Sequence, residues 1–117
     1  MSFNFEKLIV WREARELVKE VYRLTARFPK DELFGLTNQL RRAAISILLN
    51  LAEGTNRKSI KEKVRFFDIS HTSIDEVVTG FYVALDQQYI SSEEFDHIYE
   101  RLNKQAAKTV ALKNSLR

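Results

Sequence analysis

The chain has 117 residues, a formal charge of +3 and a pI near 9.3, which provides for one domain with one core and admits an acidic partner without requiring one. The lack of cysteine removes disulfides, thiolate nucleophiles and cysteine-ligated zinc or iron–sulfur centres, and two histidines leave little for metal chemistry. Three glycines and one proline beside 44% apolar and 30% charged residues describe a helical protein. No apolar run approaches the ~20 residues of a membrane span and no basic-then-apolar leader opens the sequence, so a cytoplasmic protein with no membrane partner is expected.

Between the few breakers, apolar residues recur at three-four spacing and do not alternate. This predicts an all-α fold, one antiparallel up-down-up-down four-helix bundle over residues 1–117. The first helix is expected from about Leu8 to Phe28, with a seam of Val10, Ala14, Leu17, Val21, Leu24 and Phe28, and Pro29 ending it. The second begins within Asp31 to Gly35 and stops at Gly54, read as a left-handed C-cap. Ser59 and Glu62 form a capping box that opens the third, which runs to about Gln88. Ser91 and Glu94 repeat the device for the fourth, ending near Leu116.

Two helices carry more apolar surface than a monomeric bundle needs. From Ala43 to Ala52 only Ser46 and Asn50 are polar, so the second helix is apolar all round. The third has a seam of Ile60, Val64, Phe67, His71, Ile74, Val78, Phe81 and Leu85. Beside it runs a row of small residues, Phe66, Ser70, Ser73, Val77, Gly80 and Ala84, that would let another helix approach closely. Either the Phe3-Asn4-Phe5 arm or long side chains cover the surplus, or the protein is a homo-oligomer. The second reading puts Ala44, Leu48, Leu51, Ser70, Ser73, Val77 and Gly80 at the interface.

The segment Gln39 to Gly54, with Arg42, Ser46, Asn50, Glu53 and Gly54, resembles the signature of the four helix bundle protein family, also called intervening-sequence or ribosomal-protein-like proteins. Leu8-Ile9-Val10-Trp11 is similar to the family's opening motif and Val21-Tyr22 through Phe28-Pro29 to its first-helix ending. Phe67 to Glu76 resembles its third-helix pattern, with Ser70 and Thr72 in place of the usual alanine and glycine. The resemblance implies a four-helix protomer in a ring, typically a homopentamer, and the number five comes from the resemblance alone. A related branch includes the accessory variability protein of diversity-generating retroelements, a basic pentameric barrel. That likeness implies RNA or DNA, and a reverse transcriptase or other protein, as partners.

Arg41, Arg42, Arg57, Lys58, Lys61, Lys63 and Arg65 face only Glu53 and Glu62 within their stretch, a local +5. Lys58, Lys61 and Arg65 are spaced for one helix face, which a ring would repeat into a phosphate-binding surface. The bland alternative is a solvated helix start, with Arg41 or Arg42 paired to Glu53 or Glu76. No aromatic residue is read as a stacking platform among them, so binding would be to backbone and shape. Ser46, Asn50 and Glu53 form a polar line at i, i+4 and i+7, read either as a site or as a hydrogen-bonded junction that fixes register.

Asp68-x-x-His71 and Glu94-x-x-His97 place carboxylates and imidazoles at i, i+3 on adjacent helices, but an inward glutamate on the first helix is missing. No metal, cofactor or catalytic residue is expected, with His71 read as a seam histidine and Trp11 as an anchor. Without a glycine-rich loop or a nucleophile elbow, no enzyme activity is expected. Two functions stay open: a nucleic-acid-associated oligomer, or an oligomeric scaffold for a protein partner.

Overall fold

The computed structural model describes residues 2–116. Its helices are α1 (Ile9–Thr25), α2 (Leu36–Asn56), α3 (Ile60–Asp86) and α4 (Ser92–Asn114), with 3-10 turns at Asn4–Lys7 and Lys30–Glu32. Among the described residues there is no strand, and no helix is long and apolar enough to cross a membrane.

Cross-links between helices fix the arrangement. Gln105 Nε2 donates to the Val10 carbonyl at 2.9 Å and Arg27 meets Glu94 at 2.6 Å, so α4 runs opposite to α1. Ser46 and Ser73 meet at 2.8 Å, while a Cβ on Gly80 would touch Leu40, so α3 runs opposite to α2. Lys113 reaches Asp68 at 2.9 Å across α4 and α3, and Arg41 reaches Thr25 at 2.9 Å across α2 and α1. Each helix therefore lies antiparallel to both of its neighbours, as short connections dictate.

The first seam holds as read: Val10, Ala14, Leu17, Val21, Leu24 and Phe28 are all buried. The helix itself ends at Thr25: the amides of Arg27 and Phe28 donate to the carbonyls of Leu24 and Thr25 in tighter i→i−3 bonds, and Pro29 has no amide with which to continue the ladder. Phe28 still enters the core from the turn, with its ring 5.3 Å from that of Tyr89. Glu32 ties this turn down by accepting from the Leu36 amide at 3.3 Å and from the Tyr89 hydroxyl at 2.8 Å. The second bond pushes the Tyr89 phenol above its ordinary range, since losing the proton would set two anions together.

Three expectations are corrected at α2 and α3. Gly54 is not a left-handed stop: it lies inside α2, buried, and no described glycine has positive φ. It is a contact glycine, because a Cβ there would come within 2.6 Å of the Phe67 ring. The buried face of α3 is the strip between the two rows read from sequence, with Phe67, Ser70, Ser73, Ile74, Val77, Phe81 and Ala84 inside and Ile60 exposed. The small residues of that strip meet α2 of the same chain, where Ser70 Oγ donates to the Ile47 carbonyl at 2.8 Å. Ala44, Leu51, Ser70, Ser73 and Val77 are consequently interior and unavailable to a second copy, while Leu48 and Gly80 are only half-buried. The helix that approaches closely is the chain's own.

The segment Asn4–Lys7 packs on α1 and α2, so the arm covers part of the apolar surplus. Leu49 on α2 stays 58% exposed, with Ile69 and Val83 exposed on α3. At the helix starts, Ser91 and Glu94 make the full reciprocal capping box, whereas Ser59 only accepts from the Glu62 amide. Gln88 follows α3 with φ 62°, and its amide and that of Tyr89 return to Leu85 and Ala84 in a Schellman ending. No buried side-chain nitrogen or oxygen among the described residues lacks a hydrogen-bond partner.

Candidate nucleic-acid interface

The seven basic residues singled out from sequence separate into two groups. Arg41 and Arg42 lie near the start of α2, about 22 Å along the helix from Arg57 at its end. Arg41 is committed internally: its Nε donates to Thr25 Oγ1 and its guanidinium lies 4.5 Å over the Tyr22 ring. Neither Arg41 nor Arg42 pairs with Glu53 or Glu76. Arg42 is exposed and, with Ser46, Asp75, Glu76 and Thr79, lines an open groove of about 780 Å³ between α2 and α3.

The other five are held around the α2–α3 turn. Lys63 is spent on structure, because its ammonium donates to the Thr55 carbonyl at 2.8 Å and the Gly54 carbonyl at 3.5 Å, satisfying the end of α2. Arg57 pairs with Glu53 at 2.6 Å, and Arg65 is 3.7 Å from Glu62. Lys58 and Lys61 are exposed and make no ion pair among the described residues. Lys58 precedes the N-cap Ser59, so it stands in the turn and not on a helix face with Lys61 and Arg65. An aromatic ring does lie among these cations: Phe66 carries Arg57 at 4.6 Å and Arg65 at 5.7 Å from its centroid. Its place in the small-residue row concealed it.

Antiparallel packing adds basic residues that are remote in sequence. The end of the bundle built from residues 2–16, 47–73 and 104–116 holds eleven basic and six acidic side chains, a net +5. The opposite end, residues 17–46 and 74–103, holds seven basic and ten acidic, a net −3. Lys104, Lys108 and Lys113 of α4 join the first end. Lys108 binds Glu13 at 2.5 Å and Lys113 binds Asp68, which occupies that carboxylate of the candidate metal pair. Among the described residues, no three His, Cys, Asp or Glu side chains gather to hold a metal ion. At the acidic end Glu94 is held below the ordinary carboxylate range, first by the Ser91 amide and then by Arg27.

The polar line on α2 divides as well. Ser46 bonds Ser73, and Asn50 Nδ2 donates to the Ser46 carbonyl at 2.8 Å and to its Oγ at 3.0 Å, a closed junction between α2 and α3. Glu53 turns outward to Arg57 and takes no part. Trp11 is half-buried, with its ring 4.9 Å from that of Phe5.

These features define an all-helical, charge-polarised bundle in which Arg42, Ser46 and Glu76 of the motif line one groove between α2 and α3. A family model for the 23S rRNA-intervening sequence protein matches residues 6–111, and the chain belongs to that family. Its fold is similar to that of a protein of unknown function from the S23 ribosomal protein family of Bacteroides thetaiotaomicron, with a TM-score of 0.83 at 16% identity over 90% of this chain and 98% of that one. No curated protein matches the sequence.

Proposed function

We propose that the protein is a non-enzymatic homo-oligomer, a pentameric ring on the family resemblance, that associates with nucleic acid through the surface around the α2–α3 turn. The observation that carries this reading is the gathering of Arg57, Lys58, Lys61 and Arg65 at the bundle end of net +5, with Lys58 and Lys61 exposed and unpaired among the described residues. Repetition around a ring multiplies weak phosphate contacts into avidity. The exposed Leu49, Ile69 and Val83 on the outer α2–α3 face support self-association by flanks other than the residues buried in the protomer. The same apolar face favours a second reading, a scaffold for a protein partner with no nucleic-acid role.

Light scattering of the protein alone gives the oligomer, and a monomeric mass refutes it. Fluorescence anisotropy with labelled RNA and DNA at low and moderate salt then tests the surface. Binding should weaken steeply with salt, and the Lys58→Gln, Lys61→Gln, Arg65→Gln variant should lower the slope of log K against log salt by about 2 to 3. An oligomer that binds neither polymer leaves the scaffold reading.

A further inference from the structure

We propose that Phe3, Phe5 and Trp11 form a stacking ledge for the unpaired bases of a single-stranded nucleic acid, with Lys7, Arg12 and Arg15 placed for its phosphates. The inference rests on the nucleic-acid reading above and gives it a strand preference. The Phe3 ring is stacked on Phe5, centroids 5.7 Å apart at 19°, and Phe5 leads on to Trp11. Phe3 is nevertheless 66% exposed, although aromatic side chains gain most by burial.

Its exposure is held in place and not frayed. The Phe3 amide donates to Glu6 Oε1 at 3.1 Å, the Glu6 amide to the Phe3 carbonyl at 3.1 Å, and the Leu8 amide to the Phe5 carbonyl at 3.0 Å. The backbone that carries the ring is fixed in this way, and the ring itself rests on Phe5, so little backbone freedom is lost when a base lands on it. Phe5 and Trp11 open onto a depression of about 570 Å³ whose rim includes Lys7, Arg12 and Arg15 against Glu6 and Glu16. Arg12 is positioned by its Nε, which donates to the Glu6 carbonyl at 2.7 Å.

Charge selects the occupant. The ledge lies at the bundle end of net +5, the same end as the α2–α3 turn, so a polyanion satisfies both. Rings alone would suit an apolar peptide equally well; residues 2–16 are themselves neutral, with Lys7, Arg12 and Arg15 against Glu6, Glu13 and Glu16, so the preference for a polyanion comes from the excess of cations that residues 47–73 and 104–116 bring to the same end. Bases in a duplex are already stacked on each other, whereas unpaired bases gain by stacking on an aromatic side chain.

The experiment is anisotropy with a labelled oligothymidylate and a labelled duplex of equal length, using the wild type, Phe3→Ala, Phe3→Tyr and the variant with Lys58, Lys61 and Arg65 replaced by glutamine. Phe3→Ala should weaken single-strand binding by about tenfold and leave duplex binding unchanged, with Phe3→Tyr restoring it. Trp11 is the chain's one tryptophan, so single strands should also quench its emission in the wild type. If the wild type binds single strands and Phe3→Ala binds them equally well, the ledge is refuted while the basic surface stands. If the glutamine variant binds like the wild type while Phe3→Ala is impaired, the turn is refuted and the ledge stands. A wild type that binds neither polymer overturns both.

Discussion

Alanine in place of Gly54 should destabilise the bundle although it improves helix propensity. A methyl group at this position would stand 2.6 Å from Cε1 and 2.8 Å from Cδ1 of Phe67, and 3.1 Å from Cβ of Phe66. Carbon atoms pack at about 3.5 to 4.0 Å, so a ring or a helix must move by roughly 1 Å. Phe67 is buried and its ring cannot fold aside like the tip of a flexible chain. Replacing glycine inside a helix gains about 1 kcal/mol, whereas overpacking costs about 1 to 3, here toward the upper end. The net loss is about 1 to 2 kcal/mol, a fall in Tm of roughly 4 to 8 °C for a chain of this size.

Urea unfolding followed by circular dichroism, run as a double-mutant cycle with Phe67→Leu, isolates the cause. With the ring removed, Gly54→Ala should become neutral or stabilising, a coupling of about 1.5 kcal/mol or more. Equal penalties in the two backgrounds would refute the steric account, because a left-handed terminus at Gly54 would not depend on Phe67.

Gln88→Gly should raise stability by about 0.5 to 1 kcal/mol, since Gln88 holds φ 62° where glycine escapes the Cβ clash, and a lower Tm would contradict it. Ser70→Ala should cost about 1 kcal/mol in denaturant midpoint through loss of its buried bond to Ile47, whereas Ser70→Leu should cost about 3 by forcing α2 and α3 apart. Glu20 is held below the ordinary range chiefly by Arg23, and Glu94 chiefly by the Ser91 amide. A depressed carboxylate adds stability that is present above the ordinary value of about 4.3 and lost as pH falls through the folded value. Glu94→Gln should therefore lower Tm at neutral pH and match the wild type in acid; a gap unchanged by acidification would rule out the charge as its source.

What the sequence determined by itself was local. Period and caps are properties of consecutive residues, so four helices, the first seam, the Ser91 box and the family motif of α2 were all legible before any coordinate. Its errors were equally local in origin. Gly54 reads as a stop because glycine usually punctuates helices, and only the presence of Phe67 on another helix shows that it is there for contact. The small-residue row of α3 correctly signalled close approach, but periodicity cannot say which helix approaches, and the partner is the chain's own α2.

Tertiary structure alone decided the candidate surface. It parted Arg41 and Arg42 from the turn, drew Lys63 inward to the carbonyls at the end of α2, and set Phe66 between two guanidinium groups. It also brought the lysines at the end of α4 to the start of α3, where Lys113 meets Asp68. Charge and contact depend on distance in space, and antiparallel packing places side by side residues that the chain keeps far apart.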